Sequence, residues 1–384
     1  MNFTMPFSVY VVWHPLFTDG QTMAGKLYSA FCRDTAKPLA RSIGIPVYFR
    51  WVSPQGSRYP LDINYEQADY TAVVALVDAK MLLDEDYKDY LRKISRECEG
   101  SAKRRFFPVA LTAHAFKIDP KIAEINFIRA RTASGIISSL SHEFCRLLME
   151  MKRTAEETAP AAAGSTSPVR LFISHSKYDD SLDQAKKLRD FIRSESQLDT
   201  FFDANDIAFG SNFGDMIKIA AAGNILVVFQ SDSYADREWC RIEALTAKSA
   251  GCPVVIVNNV QKGEKRTFPY LGNYPSIRPD GDMQKVIDMA LDQVLFNLFT
   301  SRLLKAQAIL YKVNINFILA NYPELFDFIL LKQALNNIDP TNGPTLVLYP
   351  DPPLGKEEID ILNKMDDRLL FVTPILLSTI KSLS

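Results

Sequence analysis

Short apolar runs alternate with helix-like segments along the second half of the chain. The runs predict strands at residues 169–174, 200–202, 224–229 and 252–257. Apolar side chains that recur every three or four positions predict helices at residues 179–194, 216–222, 236–250 and 283–304. Continuous apolar strands separated by helices are typical of a parallel sheet that is covered on both faces. We therefore predict an α/β fold, whose ligands bind beyond the carboxyl ends of the strands.

Residues 1–152 repeat this order in outline, with little identity and at a period of about 160 residues. Strands are predicted at residues 8–13, 45–50, 71–77 and 106–111. One helix is predicted to run from the end of the first strand to about residue 42, and two more are predicted at residues 87–98 and 133–151. The pattern predicts two α/β units of similar plan. A stretch rich in Ala, Thr, Ser and Pro, residues 153–167, is predicted to link them, and the second unit is predicted at residues 168–300.

The last segment, residues 301–384, has a different pattern. It is predicted to be mostly helical over 303–335, and then to place strands at 343–349 and 369–372 around a helix at 356–365. Such a partial α/β unit is too small to fold alone. We expect it either to pack on the second unit or to begin a third domain that this chain does not complete.

Composition excludes several classes of protein. The 384 residues are 47% hydrophobic and 23% charged, which is typical of soluble globular proteins, and no segment is long and apolar enough to predict a membrane span. The net charge is −1, so nucleic acid is not an expected partner. Five scattered cysteines and four histidines, none at metal-site spacing, predict free thiols in a reducing, cytoplasmic compartment and no metal site.

Four polar or aromatic features fall where a parallel sheet binds its ligands. Ser174, His175 and Ser176 end one predicted strand, and Asp203 ends the next. A loop with two glycines, residues 207–214, follows Asp203. Trp239 and Glu243 lie four residues apart and thus share one face near the start of a helix. An aromatic ring beside a carboxylate at this edge is a plausible sugar or nucleoside site.

The motifs, taken in order, resemble those of a TIR domain (Toll/interleukin-1 receptor and resistance-protein homology). FISHS resembles the first strand, FFDANDIAFGSNFGDMI the second strand with its BB loop, ILVVFQSDSYADREWCRIEALTA the third strand and its helix, and VVIVNN the fourth strand. The resemblance covers about residues 169–298. It implies a flavodoxin-like parallel-sheet domain, and residues 1–152 resemble a degenerate copy of it in outline.

Many members of this family hydrolyse NAD⁺ or cyclise its product, often in bacterial defence. The resemblance implies that Glu243, the last residue of WCRIE, is catalytic, and that Trp239, Ser174, His175, Ser176, Asp203 and Phe213 bind the substrate. It also implies that NAD⁺ is a substrate rather than a cofactor, and that TIR domains self-associate, with a neighbour's BB loop completing the site. One carboxylate that stabilises an oxocarbenium-like ribose is sufficient for this chemistry.

Each assignment has a structural alternative. Trp239 could be core, Glu243 a solvated helix residue, Asp203 a turn cap and Phe213 a loop anchor. Arg237 and Lys248 are expected to be solvated, and Cys240 is expected to be core. The alternative to an enzyme is an adaptor that acts by TIR–TIR association, and a third option is a binder of nucleotide derivatives. In residues 1–152 the acidic end of the second strand is missing, because Arg50 and Trp51 stand there. That unit is therefore expected to lack activity.

Overall fold

The computed structural model divides the chain into two compact units. It describes residues 3–38, 40–57, 59–130, 132–156, 169–178, 181–195, 199–201, 224–263, 268, 270–278, 280–336, 338 and 344–380. Unit 1 comprises Met1–Leu140 and Lys305–Lys312, and unit 2 comprises Ser141–Leu304 and Val313–Ser384. The domain limits predicted at residues 152, 168 and 300 stay a prediction.

Unit 1 contains a parallel sheet whose strands match the predicted apolar runs. Its strands are β1 (Met5–Trp13), β2 (Val47–Arg50), β3 (Ala68–Val77) and β4 (Arg104–Ala110), in the order β2-β1-β3-β4. From Phe7 to Trp13 and from Thr71 to Val77 every residue is buried, as expected for central strands covered on both faces.

The helices of unit 1 begin and end at recognisable signals. They are α1 (Gly20–Phe31), α2 (Ala79–Leu83) and α3 (Glu85–Glu99). Asp84 caps α3 by accepting hydrogen bonds from the backbone N–H groups of Asp86 and Tyr87, so the helix starts two residues before the predicted position. The prediction that α1 extends to about residue 42 is wrong. The helix stops at Phe31, and Pro38, which cannot continue a helical ladder, lies in the segment that follows.

Unit 2 contains a second parallel sheet with the same strand order. Its strands are β5 (Arg170–His175), β6 (Asp199–Phe201), β7 (Asn224–Gln230), β8 (Val254–Asn258) and β9 (Ser276–Ile277), in the order β6-β5-β7-β8-β9. This is the flavodoxin-like order 2-1-3-4-5. In unit 1 the place of a fifth strand beside β4 is taken by a parallel bridge between Val109 and Ile128. The predicted α/β class with two parallel-sheet domains is confirmed.

Four long helices accompany the second sheet: α4 (Ala133–Glu156), α5 (Ser181–Glu195), α6 (Glu238–Ser249) and α7 (Met283–Tyr311). α4 continues four residues into the predicted linker, and the remainder of that linker lies outside the described residues. Within unit 2, α4 packs along α7, because Arg302 donates a hydrogen bond to the Leu148 carbonyl and the Cys145 thiol approaches the Leu291 carbonyl at 3.7 Å.

The C-terminal part of unit 2 is a small three-stranded parallel sheet. Its elements are β10 (Phe317–Ile318), α8 (Leu325–Leu335), β11 (Thr345–Leu348), α9 (Lys356–Met365), β12 (Leu369–Val372) and α10 (Pro374–Ile380). The predicted helix at 356–365 and its flanking strands are confirmed. Residues 303–335 are mostly helical, as predicted, and the two helices are separated by β10, which pairs with β11.

No helix in the part of the chain that the structure describes combines the length and the apolar character that crossing a bilayer needs.

Candidate functional site

The candidate site lies at the carboxyl edge of the second sheet, where β5 and β7 end side by side. Ser174 pairs with Val228, and His175 with Phe229, so the chain leaves both strands at the same level. The order of strands reverses between β5 and β7, which makes this edge the switch point where open α/β sheets bind ligands. Ser174, His175 and Ser176 are all buried there.

A buried tyrosine, which the sequence interpretation missed, joins this edge to the start of α6. The hydroxyl of Tyr234 donates to the Cys240 carbonyl at 3.1 Å. Because its one proton is used there, it accepts from the Ser174 hydroxyl, 2.8 Å away. The Cys240 thiol also lies 3.4 Å from the His175 carbonyl. These three contacts attach the first turn of α6 to the end of β5.

The first two turns of α6 carry the two residues of greatest chemical interest. Trp239 is 68% exposed, so its ring is not core, while Glu243 is partly exposed one turn further along α6. Burial raises the pKa of Tyr234 well above its usual value, the Ser174 hydrogen bond opposes that effect, and the nearby Cys240 and Glu243 raise the pKa further. Glu243 therefore lies within electrostatic range of the anchoring hydroxyl.

Ser176 organises the loop that follows β5. Its hydroxyl accepts hydrogen bonds from the Ser233 hydroxyl at 2.7 Å and from the Tyr178 backbone N–H at 3.3 Å, and its carbonyl accepts from Ser181. The Ser233 contact joins the loop after β5 to the loop after β7. Ser174 and Ser176 thus both make contacts that shape the edge, and their predicted contact with a substrate stays a prediction.

Arg237 and Tyr178 form a pair beside these serines. The guanidinium carbon of Arg237 lies 3.8 Å from the centre of the Tyr178 ring, and the Tyr178 ring is otherwise exposed. This is the geometry of a cation–π interaction. Arg237 is therefore held in a defined place beside the site, and the expectation that it is simply solvated is wrong.

A cluster of hydrogen-bonded polar side chains lies at the carboxyl edge next to β8. The Asn259 side-chain oxygen accepts from the side-chain amides of Gln184 at 3.2 Å and Gln261 at 3.3 Å. Asp232 accepts from the backbone N–H groups of Gln261 and Lys262. No periodic pattern in the sequence predicts this cluster, because its members come from α5 and from the loops after β7 and β8.

Two predicted site residues, Asp203 and Phe213, lie outside the described residues, as does the whole loop at residues 207–214. The structure joins Ser174 and His175 to the first turn of α6, the helix that carries Trp239 and Glu243, and joins Ser176 to the loop after β7. Among the described residues, no three side chains of His, Cys, Asp or Glu are grouped as metal ligands would be.

The equivalent edge of unit 1 is occupied by its own side chains. His14, which follows β1, is buried and lies 3.2 Å from the carboxylate of Asp84. Tyr87 donates from its hydroxyl to the Trp51 carbonyl, and the Trp51 ring stacks on Trp13 with 5.6 Å between ring centres. These pairs join the ends of β1 and β2 to the start of α3.

Helices α3 and α6 can be aligned with each other by their distance along the chain from the preceding strands, β3 and β7. α3 begins eight residues after β3 ends, and α6 begins eight residues after β7 ends. Tyr90 then stands at the position of Glu243. Its side chain is buried and donates to the Leu61 carbonyl at 2.8 Å, so unit 1 has no carboxylate at this position.

Comparison with known proteins assigns a family to the second sheet. A family model described as a TIR domain matches residues 171–286. The match begins at the second residue of β5 and includes β6 to β9 and all of α6. No curated protein and no solved structure matches the chain.

Proposed function

We propose, from the premise that this chain contains a TIR domain, that the domain is an NAD⁺ nucleosidase. Glu243 is the catalytic residue, and nicotinamide is released together with ADP-ribose or a cyclic form of it. The main support is the placement of Glu243: it shares one face of α6 with the exposed Trp239, and the first turn of α6 is hydrogen-bonded to the end of β5.

The reaction is simple in its bonds. The bond between ribose C1′ and the nicotinamide nitrogen breaks, and its electron pair leaves with neutral nicotinamide. The ribose becomes oxocarbenium-like, and a carboxylate stabilises such a cation. Water then forms a bond to C1′ and loses a proton, which Glu243 can accept. If a nucleophile in the ADP part reacts instead of water, the product is cyclic.

The remaining predicted residues take supporting roles in this proposal. Trp239 presents a flat ring against which NAD⁺ can stack, and Arg237, held on Tyr178, places a positive charge near the same edge. Ser174, His175 and Ser176 form the floor under the substrate, and Asp203 and Phe213 contact it from the second strand and the BB loop.

We further propose that the protein acts in the cytoplasm by self-association through its TIR domain, in bacterial defence signalling. Unit 1 is then a degenerate TIR-like copy without turnover, since Tyr90 stands at the position of Glu243. NAD⁺ is the small-molecule substrate in this proposal, and neither a nucleic acid nor a membrane is a partner.

The test is release of nicotinamide by the purified full chain, at low and high protein concentration, with the products resolved by mass. Glu243→Gln is expected to lower kcat by roughly 10²-fold or more, because charge stabilisation at the ribose is lost. Glu238→Gln, an exposed residue in the first turn of the same helix, is the matched control and should retain activity. Equal turnover by wild type and Glu243→Gln would contradict the assignment.

A second function, a non-enzymatic adaptor, is favoured by one observation. Trp239 and Ile242 are adjacent on the surface of α6 and expose apolar area, which is typical of a protein contact. If this alternative holds, the full chain associates at high concentration without consuming NAD⁺, and Trp239→Ala abolishes association. Light scattering beside the nicotinamide assay distinguishes the two functions.

A further inference from the structure

Helix α6, which carries Glu243, is anchored near both of its ends. Near its start, the Cys240 carbonyl accepts from the Tyr234 hydroxyl, and the Cys240 thiol lies 3.4 Å from the His175 carbonyl. Near its other end, Lys248 lies in the last turn. The Lys248 side chain is only 6% exposed, although lysines are mostly exposed in folded proteins. The groups around this buried ammonium therefore hold the last turn of α6.

Four groups surround the ammonium of Lys248. The Tyr270 carbonyl accepts a hydrogen bond from it at 2.9 Å, and the Glu324 carboxylate lies 2.9 Å away. The rings of Tyr274 and Phe326 face it, with their centres 4.7 Å and 5.1 Å from the nitrogen. A carbonyl and two ring faces orient a cation. Of these four groups, the Glu324 carboxylate is the one that carries an opposite charge.

Glu324 belongs to the small C-terminal sheet, β10 to β12 with its helices, because it immediately precedes α8. Its backbone N–H donates to the Asp327 carboxylate at 2.7 Å, so the first turn of α8 fixes the backbone from which its side chain extends. Phe326, in the same turn, meets the Tyr270 ring edge-on, with 5.3 Å between ring centres. The start of α8 is thus joined to the end of α6 by a charged contact and by aromatic contacts.

The charges of this pair suit the helices that carry them. The last turn of a helix carries a partial negative charge and the first turn a partial positive charge. Lys248 places a cation in the last turn of α6, and Glu324 places an anion at the start of α8. An amide in place of the Glu324 carboxylate would remove the counter-ion while the rings still bury the ammonium, which is a costly change. We therefore expect that change to loosen the last turn of α6.

We propose that Glu324 is a positioning residue for the reaction at Glu243, and that it acts through Lys248 by fixing the last turn of α6. Lys248 follows Glu243 by five residues, so the two side chains are about 140° apart around the helix and the effect passes through the helix backbone. The inference rests on the proposed function, in which Glu243 is the catalytic residue. It makes the C-terminal sheet a support for the candidate site.

The test compares Glu324→Gln with Asp366→Asn in the full chain. Both remove one carboxylate from an ion pair of the C-terminal sheet, since Asp366 pairs with Arg368 at 2.7 Å within that sheet. Glu324→Gln is expected to lower kcat for nicotinamide release by about fivefold or more and to leave KM within about twofold, because Glu243 is displaced while substrate binding is kept. Asp366→Asn, the matched control, is expected to leave both constants unchanged.

Backbone hydrogen exchange measures the hold on α6 without requiring activity. Glu324→Gln should speed exchange in residues 241–250 by about fivefold or more, and Asp366→Asn should not. If Glu324→Gln does not fold, the double variant Lys248→Met/Glu324→Gln takes its place, because it removes both charges and leaves no buried ion unpaired. Its kcat should fall, and its exchange in residues 241–250 should rise, as expected for Glu324→Gln.

Three outcomes would overturn the inference: equal losses of kcat in Glu324→Gln and Asp366→Asn, a raised KM with unchanged kcat, or unchanged exchange in α6. Absence of nicotinamide release by the wild-type chain would instead refute the proposed function. The exchange measurement would then still support or refute the hold of Glu324 on α6.

Discussion

The two parallel sheets share a strand order but differ at their carboxyl edges. In unit 1 the edge is closed by the His14–Asp84 pair, the stacked Trp13 and Trp51 rings and the hydrogen bond from Tyr87. In unit 2 the corresponding helix, α6, carries Glu243 and an exposed Trp239. The two edges thus carry different side chains on one scaffold, and the side chains rather than the fold decide which chemistry is available.

The largest expected difference in unfolding free energy is between substitutions of two tryptophans, one in each unit. Trp13 is 2% exposed, stacks on Trp51, and lies so close to Gly20 that a Cβ there would approach its ring to 2.2 Å. Trp13→Ala is expected to cost about 4 kcal/mol of unfolding free energy, because it leaves a large cavity. Trp239→Ala should cost about 0.5 kcal/mol or less. Urea unfolding measures both, and equal losses would mean that the two edges do not differ in packing.

The next contrast is catalytic. If only unit 2 carries the reaction, Tyr90→Phe leaves nicotinamide release unchanged, while Glu243→Gln lowers it by roughly 10²-fold or more. Circular dichroism of both variants separates a chemical loss from a folding defect. A loss of turnover in folded Tyr90→Phe would show that the filled edge of unit 1 contributes to the reaction.

A smaller effect is expected at the anchor between β5 and α6. Tyr234→Phe keeps the ring but leaves the Ser174 hydroxyl and the Cys240 carbonyl without their buried partner. The expected cost is about 2 kcal/mol in unfolding free energy. Tyr178→Phe, an exposed tyrosine on the same edge, should change stability by less than about 0.5 kcal/mol. Similar midpoints of urea unfolding for the two variants would refute the anchoring role of Tyr234.

The smallest effect is expected at Asp84, which caps α3 and pairs with His14. Burial alone would raise the pKa of Asp84, but hydrogen bonds from His14 and from the backbone of Tyr87 and Asp86 hold it below its usual value. The carboxylate therefore stabilises unit 1 fully above about pH 4, the ordinary value for Asp, and loses this contribution as the pH falls through the lower folded-state value.

Asp84→Ala should accordingly cost about 1 kcal/mol at pH 7, as is typical of a lost helix cap. The difference between variant and wild type should shrink as the solution is acidified. Urea unfolding at pH 7, 5 and 3 measures it, and a difference that stays constant with pH would contradict the role given to the charge of Asp84.

The sequence predicted the strands well because continuous apolar runs have few alternatives in a parallel sheet. The strand predicted at residues 224–229 lies within β7, and the helix predicted at 356–365 coincides with α9. The start of α6 was less accurate by two residues, yet Trp239 and Glu243 were correctly placed on one helix. Local pattern was enough for these elements because neighbouring residues determine them.

Features that depend on distant partners could not be predicted. The role of Tyr234 depends on Ser174, which is 60 residues away, and nothing local marks that tyrosine as buried. Lys248 was expected to be solvated, as lysines usually are. Its side chain is only 6% exposed, because Glu324 approaches its ammonium to 2.9 Å and the Tyr270 carbonyl accepts from it at 2.9 Å.

That buried lysine affects how the TIR domain can be isolated. Lys248 lies on α6, the helix of Glu243, and it also faces the rings of Tyr274 and Phe326. Glu324 and Phe326 lie beyond residue 286, where the family match ends. A fragment cut at that limit would end inside α7 and would lack both the Glu324 carboxylate that pairs with the Lys248 ammonium and the Phe326 ring beside it. The smallest piece that preserves the candidate site therefore extends at least through α8.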